Sequence, residues 1–416
     1  MLFSSRNRLV NMVFIEAPVG VGFSYSDNNN YKCDDDRTAS ENLAGIETFF
    51  SLYPEFKNNK FFITGESYAG VYVPTLAEAI VKAELAGTYT GAKLTGIAVG
   101  NGCSGTEVGI CGSGPQGTYY EWQYLLSTSF VDPNLKNTIN SECNWDAAAK
   151  NEPDALSFKC VTLLNQASAQ ISHVNMYDIY GDCVDNMCSA GEDKPKGKVP
   201  VRPMLTATDA SYGKAALGRI VPHGPDACID SGTASAYLNR ADVQAAIHVR
   251  NPGFCWAVCN TAPGWSYKST RTNLPKDTYP LLVSNIQVTI YNGDWDACKF
   301  FSTHPIPGQR TKLLTPYSYE YLIGVPYTDA EGWTQSMGYT EKTAWHPWTY
   351  TSSAGNTNQV AGYAVVYDVS GTSTQPASGS NSFSLVIVKG GRHEVPESAP
   401  AQAFEMLTRV IEGKSF

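Results

Sequence analysis

The sequence predicts an α/β fold: a mostly parallel central sheet with helices on both faces and an inserted, cysteine-rich cap. Three observations carry that prediction. Short runs of β-branched and aromatic residues alternate with segments of helical spacing. Several of those runs end in Gly, Asn or Asp, where a strand would pass its chain to a loop. Cys103, Cys111, Cys143, Cys160, Cys183, Cys188 and Cys228 all fall in one stretch where the alternation lapses. The core is therefore expected over 1–102 and 229–416, with the cap over 103–228 stapled by its own disulfides.

The elements follow in order. Val10–Ile15 reads as a buried strand, and the glycine-punctuated Val19–Ser26 as a loop. Leu43, Ile46, Phe49 and Phe50 lie at helical spacing and predict a helix over 39–50. Phe61–Thr64 is a second strand, followed by a sharp turn at Gly65-Glu66-Ser67-Tyr68-Ala69-Gly70 and a helix from Pro74 to Ala86. Leu94–Val99 is a further strand, closing on Gly100-Asn101-Gly102. After the cap, strands are expected at Ile286–Tyr291 and Phe383–Val388, a loop at Gly371–Asn381 and a closing helix at Ala401–Ile411.

Composition narrows the function. With 416 residues, 43% apolar and 17% charged, the chain can build one large domain with an insertion, or two domains. A net charge of −9 without a Lys/Arg cluster argues against a nucleic-acid partner. No apolar run reaches the length of about 18 residues that would span a bilayer. Eleven cysteines without a paired C-x-x-C array favour disulfides in an oxidising compartment over zinc, and the odd number leaves one thiol over. The first residues, Met1 to Arg8, lack the apolar core of a secretory signal, so cysteine usage and N-terminus disagree.

The chemistry is carried by three strand ends. A strand that breaks through G-x-S-x-A into a helix lifts its serine onto a strained turn and exposes the hydroxyl, which makes Ser67 a candidate nucleophile. A serine needs a base within hydrogen-bond reach, and the base needs an orienting carboxylate. His393 lies just beyond the Phe383–Val388 strand, and Asp294 and Asp296 lie just beyond Ile286–Tyr291, in the order acid then base. Either aspartate fits the acid role on this reading; the other forms a turn.

Taken together, Asn11 to Ser26, Gly65 to Gly70, Gly100-Asn101-Gly102, Met176 to Tyr180, Ala236 to Asn239, Tyr291 to Asp296 and Gly391 to Pro396 resemble the serine carboxypeptidases, a family with the α/β-hydrolase fold. The resemblance implies removal of single residues from a peptide or protein substrate with a free C-terminus, without metal or cofactor, at acidic pH. It implies Ser67 as nucleophile, His393 as base, Asp296 as acid and Asp294 as a structural residue. Tyr68 would offer its backbone N–H to the oxyanion. Glu66 would bind the substrate's terminal carboxylate, which requires one of the two carboxyls to hold a proton. Glu394 would either favour basic residues on the leaving side or serve only as a solvated turn carboxylate. The vacuole or lysosome, within the secretory pathway, is the implied location, and a homodimer fits the same resemblance.

Relative to the family the chain departs in two places. The Asn-Gly-Gly-Pro-Gly-Cys-Ser block that precedes the segment at Val10 in the family, with its second oxyanion donor and its carboxylate-binding asparagine, is not in this sequence. Its strand would lie between those at Val13 and Phe62, so a gap in the sheet and an N-terminal truncation are expected. The resemblance pairs Cys183 with Cys228 and leaves Cys259 to the missing block's cysteine. The span from Asp296 to His393 is also long for the family, which places an added surface loop in 300–344. An acyltransferase using the same triad, and a non-catalytic binding or protective protein, are the alternative readings.

Overall fold

The computed structural model describes residues 6–171, 174–181, 232–249, 256–257, 264–297, 325–371 and 381–416. Among them are eight strands: β1 (Lys32–Asp34), β2 (Phe61–Glu66), β3 (Leu94–Gly100), β4 (Ser266–Lys268), β5 (Gln287–Gly293), β6 (Glu341–Tyr350), β7 (Gln359–Tyr367) and β8 (Ser382–Val388). Six of them form one sheet in the order β2-β3-β5-β8-β7-β6. The first four of that order run parallel and the last two antiparallel. β1 and β4 make a separate parallel pair beside the helix entry that follows.

β5 is buried along its whole length, and β8 along nearly all of it, as befits central strands covered on both sides. One face packs on α1 (Asp35–Leu52) and α2 (Ala69–Leu85), where Ile46, Phe50, Val73, Ala77 and Ile80 meet Ile97, Val99, Val288 and Ile290. The other face packs on the C-terminal helix Pro400–Glu412, through Ala403 and Met406 against Ala98, Tyr291, Val386 and Val388. The expected helices on both faces are therefore present. After β3, α3 (Pro115–Ser127), α4 (Pro133–Glu142), α5 (Trp145–Ala149) and α6 (Phe158–Gln170) gather around Trp122, Leu125, Ile139 and Leu164. Disulfides Cys103–Cys111 and Cys143–Cys160 staple this region. Cys33 is a buried free thiol.

Three sequence expectations change. Val10–Ile15 is not a strand: it runs as coil, with Val13, Phe14 and Ile15 at 53%, 83% and 49% exposure. A strand needs a hydrogen-bonded neighbour, and among the described residues β2 is the edge of the sheet, with no ladder to hold this segment. α1 begins at Asp35 because Asp34 caps it, accepting from Arg37 N–H at 2.7 Å, four residues earlier than apolar spacing alone predicts. α2 likewise begins at Ala69, directly behind the turn. Within 300–344, the described part holds the helix Tyr327–Ser336 and the start of β6; the rest lies outside the described residues. The same is true of Cys183, Cys188, Cys228, Cys255, Cys259 and Cys298, and of most of the Gly371–Asn381 loop.

Candidate active site

The C-terminal ends of the four parallel strands lie side by side, the usual place for a site in an open α/β sheet. β2 ends at Glu66, and Ser67 follows at φ +65°, a left-handed conformation that is strained for any side chain. The strain is held by backbone bonds. Ser67 N–H donates to Gly100 O at 3.0 Å, and Ser67 O accepts from Gly70 N at 2.9 Å and Cys103 N at 3.1 Å. A Cβ at Gly65 would lie 2.5 Å from the Ala69 Cβ, so strand and helix can approach only with small residues at both places.

Tyr68 is the N-cap of α2, so its backbone N–H stands at the positive end of a helix of 17 residues. Its phenol is tied down by Asp35, which is 1% exposed. Asp35 accepts from Tyr68 at 3.0 Å, Tyr267 at 2.8 Å, Thr270 N at 2.6 Å and Arg271 N at 2.8 Å. A buried carboxylate with that many donors fixes the ring, and with it the residue beside Ser67. Sequence reasoning missed Asp35; an acidic residue opening a helix reads as a capping charge and nothing more.

β5 hands over to the acid loop and β8 to the histidine loop. His393 Nδ1 lies 2.7 Å from Asp296 Oδ2, with the two residues at 4% and 0% exposure. Burial works against a charge on His393, but the Asp296 carboxylate outweighs it and draws the imidazole toward its protonated form. Asp296 Oδ2 also accepts from Asn101 Nδ2 at 2.7 Å and Val325 N at 2.9 Å, which fixes the carboxylate before it meets the ring. Asn101 has φ +39° and is wholly buried, and its Oδ1 accepts from Gly293 N at 3.0 Å. It thus locks the end of β3 to the acid loop. The Gly-Asn-Gly context was a signal for that left-handed position, yet no role was read from it.

Of the two competing aspartates, the one on the imidazole is Asp296. Asp294 instead accepts from Gly390 N at 2.6 Å and joins the two loops; burial pushes it up to about 6. The segment 175–180 then straddles both loops. Met176 O accepts from Ala297 N at 2.8 Å, Tyr177 O accepts from His393 N at 2.9 Å, and Ile179 N donates to Trp295 O at 3.1 Å. The Tyr177 ring lies 4.7 Å from the imidazole, centroid to centroid, and Asp178 pairs with Arg392 at 3.3 Å.

Glu66 keeps part of its surface open, but its carboxyl is crowded by protein. Desolvation pushes it up to about 7; Glu394 adds to the shift, while His393, a hydrogen bond from Tyr291 and Arg6 oppose it. Glu394 is half-buried at the start of the short helix Val395–Ser398. Ser67, Glu66, Asp296, His393, Tyr68 and Glu394 thus all stand at one edge of the sheet, a grouping suited to acyl transfer at a carbonyl. Among the described residues no cluster of three or more His, Cys, Asp or Glu is arranged to hold a metal ion.

Known proteins were compared with this chain. The profile of one family, described as serine carboxypeptidase, matches residues 4–307 and 317–413. Serine carboxypeptidase-like 35 of Arabidopsis thaliana is 30% identical over 98% of this chain and 72% of its own length. Serine carboxypeptidase 1 of Hordeum vulgare is 26% identical, over 98% and 74%. The lysosomal protective protein of Mus musculus is 25% identical, over 97% and 75%. Among solved structures, that of Kex1(delta)p, a prohormone-processing carboxypeptidase from Saccharomyces cerevisiae, superposes with a TM-score of 0.59. It covers 96% of this chain and 73% of its own at 16% identity, a likeness of fold.

Proposed function

The chain belongs to the serine carboxypeptidase family, and from that premise we propose that it releases C-terminal residues from peptides through an acyl-enzyme on Ser67. The observation that carries the reading is the buried contact of His393 with Asp296, on the same sheet edge as the strained Ser67 turn. With Nδ1 engaged by Asp296, Nε2 is the nitrogen that exchanges a proton with the reacting groups. The Ser67 hydroxyl attacks the scissile carbonyl as its proton passes to Nε2, and Asp296 stabilises the imidazolium that results. Charge on the former carbonyl oxygen falls to the Tyr68 N–H at the head of α2. The imidazolium then returns its proton to the leaving amine, and water, activated by the same base, hydrolyses the ester on Ser67. The family match and the named relatives favour this peptidase over an acyltransferase or a non-catalytic partner.

Restriction to the C-terminus belongs to Glu66. A neutral Glu66 donates to the terminal carboxylate, whereas an ionised one repels it, so recognition holds below about 7 and fails above it. Glu394, next to His393 in the chain, would favour a basic leaving residue. Two disulfides and a relative named as lysosomal support a place in the secretory pathway, with an acidic compartment such as the vacuole or lysosome as its working site.

Labelling with a fluorophosphonate, followed by peptide mapping, tests the nucleophile. The wild type takes the label on Ser67, and His393→Ala slows that labelling by about 10²–10⁴-fold. A folded sample that takes no label on Ser67 contradicts the reading.

A further inference from the structure

Three adjacent strands place Glu66, Gly100 and Tyr291 in one row across the sheet, Glu66 opposite Gly100 and Gly100 opposite Tyr291. A side chain on the middle residue would keep the outer two apart. Gly100 has none, and a Cβ built there would collide with Cζ, Cε2 and the hydroxyl oxygen of Tyr291. The phenol therefore lies across the gap in β3, and its hydroxyl donates to Glu66 Oε2 at 3.2 Å. The ring itself is packed against the apolar face that includes Ala98, Val386 and Val388 and is 5% exposed. Burial, with the Glu66 charge beside it, holds the phenol protonated, so it remains a donor.

A neutral carboxyl has one O–H donor and one carbonyl acceptor. If the phenol occupies Oε2 as acceptor, the proton of a neutral Glu66 resides on Oε1. We propose that Tyr291, reaching through the gap left by Gly100, is a positioning residue that fixes which Glu66 oxygen carries the proton and aims it at the substrate's terminal carboxylate. This rests on the reading of Glu66 given above. The same hydroxyl stabilises the ionised carboxylate, so it also sets the upper pH limit of recognition. Among the described residues, the other charged or titratable groups facing Glu66 are His393 and Glu394 from the loop after β8 and Arg6 from the short helical turn Arg6–Arg8. None of them bonds Glu66 in the way Tyr291 does, through a strand position reserved by a glycine.

Tyr291→Phe removes one oxygen and leaves the ring. KM and kcat for a peptide with a free C-terminus are measured across pH, with the rate of fluorophosphonate labelling as a readout that involves no terminal carboxylate. The variant is expected to raise KM about tenfold in acid and to move the alkaline loss of recognition up by about one pH unit, as Glu66 loses a donor to its charged form. Its labelling rate should stay within about twofold of the wild type, because the bond removed is made to Glu66 and not to Ser67 or His393. Gly100→Ala, which obstructs the phenol, should reproduce the rise in KM. A variant that copies the wild-type KM and pH profile overturns the proposal, and so does a labelling rate that falls in step with kcat/KM, since that is the mark of a merely structural residue. A wild type whose KM does not change through neutral pH overturns the Glu66 reading itself, and this inference with it.

Discussion

Asp329 shows what a single buried carboxyl does to this molecule. It is 0% exposed and accepts from Ile110 N–H at 2.8 Å, yet burial pushes it up to about 7. An unfolded aspartate titrates at about 3.9. The folded value is the higher one, so the folded state favours the protonated form: the contribution is fully present below the unfolded value and is lost as pH rises to about 7. The protein should therefore melt higher near about pH 5 than near about pH 8, by on the order of a few degrees. Asp329→Asn should remove part of that difference by raising the melting temperature on the alkaline side; a pH dependence identical to that of the wild type would contradict it. At this scale the sequence was legible where spacing alone decides. The order serine, acid, histidine and their strand ends could be read; spacing left Asp294 and Asp296 equal and only the family resemblance chose Asp296, because the difference rests on Asn101 and Val325 reaching Asp296 across the fold.

Whole elements carry the second level of control. The segment 175–180 bonds to the acid loop through Met176 and Ile179 and to the base loop through Tyr177, so one segment holds Asp296 and His393 in register. Arg392 is 38% exposed, and its pair with Asp178 contributes no more than about 1 kcal/mol directly. Asp178→Ala should nevertheless lower kcat by about tenfold, since a small misplacement of a base is costly, with KM within about twofold. Equal kcat in variant and wild type would sink the idea. The block Met176 to Tyr180 stood out in the sequence, but its task did not, because Met176, Tyr177 and Ile179 reach the acid and base loops through their backbones. β6 escaped notice for a different reason: among the described residues it is an edge strand, half of it is exposed and Pro347 lies inside it, so it lacks the apolar run that marks β5 and β8. Val10–Ile15 fails in the opposite sense: the run is apolar, but a strand exists only where a neighbour accepts its hydrogen bonds.

Over the whole molecule, the parallel strands β2, β3, β5 and β8 gather one contribution each at their C-terminal ends: Ser67, Asn101, Asp296 and His393. The alternation of strand and helix made that gathering readable before any coordinates, since parallel strands must all end on the same side. The contact of His393 with Asp296, and Glu66 pushed up to about 7, support the proposed peptidase that demands a free C-terminus. The direct measurement is kcat/KM for one peptide as its free acid and as its C-terminal amide, at about pH 5 and about pH 8. The ratio of the two substrates cancels the acyl-transfer chemistry that both share. With Glu66 titrating at about 7, the account predicts a free-acid preference at the lower pH that shrinks about tenfold or more at the higher one. Equal cleavage of acid and amide at both pH values would contradict it.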